Sequence, residues 1–206
     1  MPKNVVIIGA GGHAKVIADI ILCSGDKVIG FLDDNEEKQG QIIYKDIKVI
    51  GKVANYTKCK DDYFIIAIGD NHTRAKIAES LDVKYYTAIH PKSVVADTAK
   101  ISEGTAIMAG SIINSDTQIG AHCIINTMSS VDHDNTINNF VHISPGVHLA
   151  GKVFVGEYTW ICAGTTIINN INVCENVIVG AGSTVIKSIE HPGTYIGTPA
   201  QKMEVK

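Results

Sequence analysis

In the stretch Ile125-Asn126-Thr127-Met128-Ser129-Ser130-Val131-Asp132-His133-Asp134-Asn135-Thr136-Ile137, an aliphatic residue stands at the start, the middle and the end, six places apart. The same interval runs outward in both directions. It begins with Val95, Ile101, Ile107, Ile113 and Ile119, and continues after Ile137 through Ile143, Leu149, Val155, Ile161, Ile167, Val173, Val179 and Val185. No insertion breaks it. Four places after most of these residues stands a small or β-branched one, such as Ala99, Thr105, Ser111, Thr117, Cys123, Ser129, Val141, Val147 and Val153. An α-helix cannot use this period, because its apolar residues would precess by about 120° at each repeat. A triangular coil with three six-residue sides can, since each side returns one aliphatic residue to a shared interior and residues eighteen apart stack. The array predicts about five such coils.

The first ninety residues read differently. Val5 to Ile8 is a short β-branched run ending at Gly9, as a buried parallel strand does. Val16, Ile17, Ile20 and Ile21 recur at helical spacing between His13 and Cys23. Strand-like runs follow at Val28–Leu32, Phe64–Ile68 and Val83–Ile89, with a polar helical stretch from Asn71 to Leu81. This alternation predicts a parallel sheet flanked by helices. The section from Asn35 to Cys59 has no clear periodicity. His90-Pro91 closes the pattern, because a residue before proline is pushed out of helical conformation. Two domains are therefore expected, over 1–90 and 91–206.

Composition bounds the function. A formal charge of -3 and a pI near 6.2 offer no basic footprint for nucleic acid or an anionic membrane. No stretch reaches the length of apolar residues that spans a bilayer, and the N-terminal apolar run meets glycine too soon for a secretory signal. Five cysteines without a C-x-x-C pair suggest reduced thiols, and so a cytoplasmic protein. Cys123 and Cys162 fall within the repeat and read as its filling.

The hexad array resembles the left-handed parallel β-helix of hexapeptide-repeat acyltransferases. The motifs Gly9-Ala10-Gly11-Gly12-His13-Ala14, Phe31-Leu32-Asp33-Asp34, Ile66-Ala67-Ile68-Gly69-Asp70-Asn71 and Ile196-Gly197-Thr198-Pro199-Ala200 extend the resemblance to the whole chain. They match the branch holding N-acetyltransferases of nucleotide-linked 4-amino sugars (bacillosamine and perosamine pathways) and sialic-acid O-acetyltransferase-like proteins. The resemblance implies a Rossmann-like α/β domain joined to the β-helix, acetyl-CoA as cosubstrate, no metal, and a homotrimer with active sites between neighbouring β-helices.

The residues support that chemistry separately. Gly9-x-Gly11 lies between a strand and a helix, where backbone N–H groups and the helix dipole favour an anion. Taken alone it resembles a dinucleotide fingerprint, but the half-sized domain before His90 suits a single nucleotide better. The resemblance implies that Gly11, Gly12, His13, Asp33 and Asp34 hold the nucleotide of a sugar acceptor. Acyl transfer needs a base, a donor to the developing oxyanion, and alignment. The segment from Asn126 to Asp134 is more polar than the hexads require. His133, two places past Val131, is off the core near a corner, and Asp134 could orient it if the chain turns there.

The family makes the histidine at this position the general base. It also implies that Asn126 holds the acceptor and that His142 contacts acetyl-CoA. Gly151, eighteen residues after His133, is the candidate donor to the thioester carbonyl. The small residues Ala163, Gly164 and Gly182 suit a groove for the pantetheine arm, and Gly197 to Met203 would cap the coil. No cysteine or serine in the polar segment sits in an obvious nucleophile–base arrangement, so direct transfer is expected. Two alternatives stay open. One is O-acetylation of sialic acid or a related sugar. The other is a γ-carbonic-anhydrase-like zinc site, which would need three of His122, His133, His142 and His148 to converge.

Overall fold

The computed structural model describes residues 1 to 204, so the last two positions of the 91–206 segment lie outside it. The first part holds β1 (Asn4–Ile8), α1 (Gly12–Cys23), β2 (Lys27–Leu32), β3 (Ile42–Tyr44), β4 (Ile47–Gly51), β5 (Tyr63–Ile66), α2 (Asn71–Ser80) and β6 (Lys84–Tyr85). They form one sheet of order β3-β4-β2-β1-β5-β6, parallel except for the β3–β4 hairpin. Central β1 is buried on both sides, which is why Val5 to Ile8 is continuously apolar.

Residues 35 to 59 form that hairpin and two 3-10 turns, Glu36–Lys38 and Val53–Cys59. The hairpin turns through Lys45 at φ 51°, without the glycine or asparagine that marks such turns. The apolar run Val83–Ile89 is also broken, since Tyr86 turns inward and its hydroxyl donates to Asp26 at 2.7 Å.

From Ala88 onward the chain winds as a parallel β-helix, the fold that the hexads predict. Its first face carries the rungs Ala88–Ile89, Ala106–Ile107, Ile124–Ile125, His142–Ile143, Trp160–Ile161 and Val177–Val179. The second face carries Val94–Val95, Ile112–Ile113, Ser130–Val131, His148–Leu149, Thr166–Ile167 and Thr184–Val185. The third carries Lys100–Ile101, Gln118–Ile119, Thr136–Ile137, Phe154–Val155 and Asn172–Val173. Rungs eighteen residues apart pair in parallel, as Ile125 with Ile143. The hexad residues from Ile107 to Val185 fill the interior and are almost wholly buried. Each such side chain contributes about 1.5–3 kcal/mol by leaving water.

At the corners, every sixth residue from Gly104 to Gly182 has positive φ. Besides five glycines these include Asp116, His122, Met128, Asp134, Phe140, Lys152, Tyr158, Asn170 and Asn176. Cys162 corrects one expectation. It lies one place past core residue Ile161 and is only half-buried, so it lines the outside of the coil, whereas Cys123 is buried.

The two parts share a core. Helix α1 lies between the sheet and the β-helix, packing Ala14, Ile17, Ala18 and Ile21 among Ala88, Ala106 and Ile124 of the first face. Helix α2 and the Val53–Cys59 turn cover the opposite side of the sheet. At the far end, Gly193–Ile196 extends the first face and pairs antiparallel with Gln201–Lys202, while Tyr195 and Ala200 rest against the interior. Among the described residues, no helix is long and apolar enough to cross a membrane.

Candidate active site

Two clusters of chemically competent residues stand out. The first is the corner between the second and third faces. Asp134 adopts φ 57° there, and this turn swings its carboxylate back to its neighbour. His133 Nδ1 lies 2.8 Å from Asp134 Oδ2. The His133 backbone N–H donates to Asp132 Oδ1 at 2.8 Å, and Asn114 Nδ2 donates to the same oxygen at 2.8 Å. The Asp132 carboxyl is held below the usual range, first by the Asn114 bond and then by the His133 N–H.

One coil on, Gly151 leaves room for the imidazole. A Cβ at that position would stand 2.6 Å from His133 Cε1 and 2.7 Å from Nε2. An open cavity of about 430 Å³ lies over this corner, lined by Asp132, His133, Ala150, Gly151, Lys152, Asn169 and Asn170.

The second cluster lies where the first face meets the N-terminal domain. Gly11 is the N-cap of α1, and a Cβ on Gly11 or Gly12 would meet nothing. The backbone there is open to a ligand. Gly9, at φ +96°, is the glycine the turn itself requires, since a Cβ would press on the Ala67 carbonyl at 3.1 Å. Asp33 closes the turn by accepting the Ala10 N–H at 2.8 Å. Burial alone would raise its pKa, but bonds from Asn35 N–H, Lys38 and Ala10 N–H outweigh this and lower it. Asp34 points elsewhere and caps Val53 N–H at 2.9 Å. Only one of the paired carboxylates therefore touches the glycine turn.

His13 follows that turn, and its Nε2 is buried without a partner. Burial, reinforced by the Arg74 charge, lowers its pKa to about 4. His142 points outward from the first face toward the same region, 3.3 Å from Asn126 Nδ2 and stacked on Trp160. Burial again, then Arg74 and His13, lower it to about 3. Beside it is a cavity of about 470 Å³ lined by Gly69, Asp70, Asn71, His72, His142, Tyr158, Trp160, Asn176 and Ile178.

Arg74 is the residue that sequence reading missed. It is 1% exposed and has no carboxylate among its bonding partners. Instead it donates to the carbonyls of His122 (2.7 Å), Ile68 (2.9 Å), Gly69 (3.1 Å) and Phe140 (3.0 Å), and to Asn71 Oδ1 (2.8 Å). Asn71 in turn donates to the Tyr158 and Thr159 carbonyls. The outward rings of His122, Phe140 and Tyr158 stack along this corner, and His72 continues the stack. The start of α2 is thus fastened to the β-helix beside the cavity.

The two clusters do not meet within one chain. Ala163, Gly164 and Gly182 lie on the corner between the first and second faces, and a Cβ on either glycine would meet nothing. The whole second face separates that corner from His133. His148 stands on that face, with Ser130 Oγ 2.8 Å from its Nδ1. This serine–histidine contact is one the sequence reading did not foresee.

The four histidines weighed for zinc are dispersed. His122 and His133 occupy different corners, while His142 and His148 occupy different faces. The one metal-sized group among the described residues is Asp19, Cys23 and His90, elsewhere on the surface. Lys92 N–H donates to His90 Nδ1 there, so the neutral ring keeps its proton on Nε2, which disfavours a cation.

Residues 4–81 match the family model described as the PglD N-terminal domain. Over nearly the full length the chain is similar to PerB from Caulobacter crescentus, solved in complex with CoA and GDP-perosamine. Identity is 33%, coverage 98% of this chain and 97% of that one, and the TM-score 0.92. The acetyltransferase domain of PglB from Neisseria gonorrhoeae, solved with acetyl coenzyme A, is 32% identical, with coverage of 98% and 100% and a TM-score of 0.92. The UDP-N-acetylbacillosamine N-acetyltransferase of Bacillus subtilis is 41% identical over 102 residues, 45% of this chain and 45% of that enzyme. The matched stretches span less than half the length of the curated relatives.

Proposed function

Because this chain belongs to the sugar N-acetyltransferase family that includes the perosamine and bacillosamine enzymes, we propose that it transfers acetyl from acetyl-CoA to the amino group of a nucleotide-linked 4-amino sugar. The observation that carries the mechanism is the His133 corner. With Asp134 accepting from Nδ1 at 2.8 Å, the neutral imidazole keeps its lone pair on Nε2, the atom lying against Gly151.

The acceptor amine attacks the thioester carbonyl as Nε2 takes its proton. The Gly151 N–H stabilises the oxyanion. The tetrahedral intermediate then collapses and coenzyme A leaves as its thiolate. The nucleotide lies over Gly11, Gly12 and His13, with Asp33 shaping the turn, the sugar extends toward Asn126, and His142 contacts acetyl-CoA. The pantetheine arm passes Ala163, Gly164 and Gly182, where the missing side chains leave room. Because the second face separates these groups from His133, a complete site draws on two copies of the chain, as a homotrimer provides.

The test is coenzyme A release from acetyl-CoA with UDP-, dTDP- and GDP-linked 4-amino sugars and with free sialic acid, for wild type and His133→Ala. Turnover on one amino-sugar nucleotide, lost in the variant, is the expected result. Turnover on sialic acid alone would replace N- by O-acetylation. Undiminished turnover by the variant would remove His133 from the mechanism.

A further inference from the structure

We propose that Asn135 is a positioning residue, a clamp inside the coil that sets the His133 corner against Gly151. The proposal rests on the reading of His133 as base. Asn135 stands in the interior column otherwise filled by small or hydroxyl residues and aliphatics, and it is wholly buried. Thr105, Thr117, Thr159 and Thr165 in that column donate to the carbonyls of Gly120, Asp132, Cys174 and Gly180, fifteen residues on. Thr105 and Thr159 also accept the N–H eighteen residues on, from Cys123 and Val177.

Asn135 repeats both bonds, with Nδ2 donating to the Ala150 carbonyl at 3.0 Å and Oδ1 accepting the Val153 N–H at 2.9 Å. It then adds a contact across the corner that no threonine of the column makes. The same amide nitrogen donates to the Asp132 carbonyl at 2.6 Å, and at 3.4 Å to the carbonyl of His133 itself.

One side chain therefore fixes both parts of the geometry. Asp132 is held on its carbonyl by Asn135 and Thr117, and on its carboxylate by Asn114, while that carboxylate holds the His133 N–H. Two further bonds of Asn135 reach Ala150 and Val153, which flank Gly151. Asn135 is enclosed and cannot touch substrate, so it acts through His133. A displacement near 1 Å at a reacting group costs about 100-fold, and a Cβ on Gly151 would already stand 2.6 Å from the ring.

Asn135→Thr in the full chain is the decisive variant. Threonine already occupies this column in four places, keeps the coil-to-coil bonds and loses the one across the corner. The expected result is a kcat lower by roughly 10- to 100-fold, with both KM values and the melting temperature nearly unchanged. A second variant, Asn135→Ser, can restore the corner bond, as Ser129 does to the Asn126 carbonyl at 2.7 Å. Its kcat is expected near wild type even where its melting temperature falls.

Wild-type kcat in Asn135→Thr overturns the proposal. So does a loss in which kcat, KM and melting temperature deteriorate together, and so does Asn135→Ser losing as much kcat as Asn135→Thr. His133→Ala, assayed alongside, separates the two claims. If it is inactive while Asn135→Thr is normal, only the clamp is wrong; if it is active, the base fails and the clamp with it.

Discussion

Gly151→Ala is the sharpest single-atom-group test of the proposed chemistry. Gly151 lies outside the left-handed region, so its backbone accepts alanine. The new methyl carbon would sit 2.6 Å from His133 Cε1, 2.7 Å from Nε2 and 3.2 Å from Nδ1. Carbon contacts begin at about 3.4 Å, at the near end of the well for attraction, so the ring must retreat by roughly 0.8 Å. His133 is about half exposed and can swing toward solvent, so the fold loses little. The swung ring loses its alignment with both Asp134 and the space above Gly151. Misplacement near 1 Å costs about 10²-fold and full loss of a general base about 10²–10⁴-fold. The expected result is a kcat reduced by about 10²–10⁴-fold with an unchanged melting temperature. Coenzyme A release read with a thiol reagent, beside thermal melting, supplies both numbers. A stable Gly151→Ala protein with kcat within threefold of wild type would refute the placement of the base against Gly151.

Three further outcomes are expected. His13, His122 and His142 are held at about 4, 4 and 3, chiefly by burial. Above the unfolded value near 6.5 they do not affect stability; as pH falls below it, the unfolded chain takes up protons that the native state refuses. Each therefore withdraws about 2 kcal/mol by pH 5, and a urea midpoint that stays level between pH 7 and 5 would contradict this. Arg74→Ala abandons four carbonyls and the Asn71 side chain, and is expected to destabilise the fold by about 3 kcal/mol or more, seen as a lower urea midpoint. Trp160→Ala removes the ring stacked on His142 and one wall of the larger cavity. Its effect is expected to be a rise of about tenfold in KM for the nucleotide sugar, checked by initial rates, with kcat little changed.

The β-helix was legible because its rule is local and strictly periodic, one aliphatic residue for each side of each coil. The sheet was legible for a similar reason, since fully buried parallel strands must be apolar without interruption. The hairpin of residues 42 to 51 was not, because Lys45 occupies a conformation usually marked by glycine or asparagine. Arg74 was invisible for a deeper reason. It sits in a polar helix, and nothing in its neighbours reveals that two of its five bonds reach distant corners of the β-helix, at His122 and Phe140. The contact of His133 with Asp134 depended on the corner turning at Asp134, which composition alone could not show. The separation of His133 from His142 follows from counting faces, because residues nine apart fall on a corner and a flat side, not on one wall.

The eighteen-residue stacking also constrains how this chain can change length. An insertion of six between His142 and Gly151 would preserve every aliphatic place, yet turn all later coils by one face. A different residue would then lie over the imidazole, and Trp160 and Ile178 would leave the wall they share with His142. Even a whole coil added between His133 and Gly151 would place a new residue, rather than Gly151, over the imidazole. The distance along the chain from Asn126 to Ile178 is therefore as much a part of the site as its side chains, even where individual residues between them face solvent.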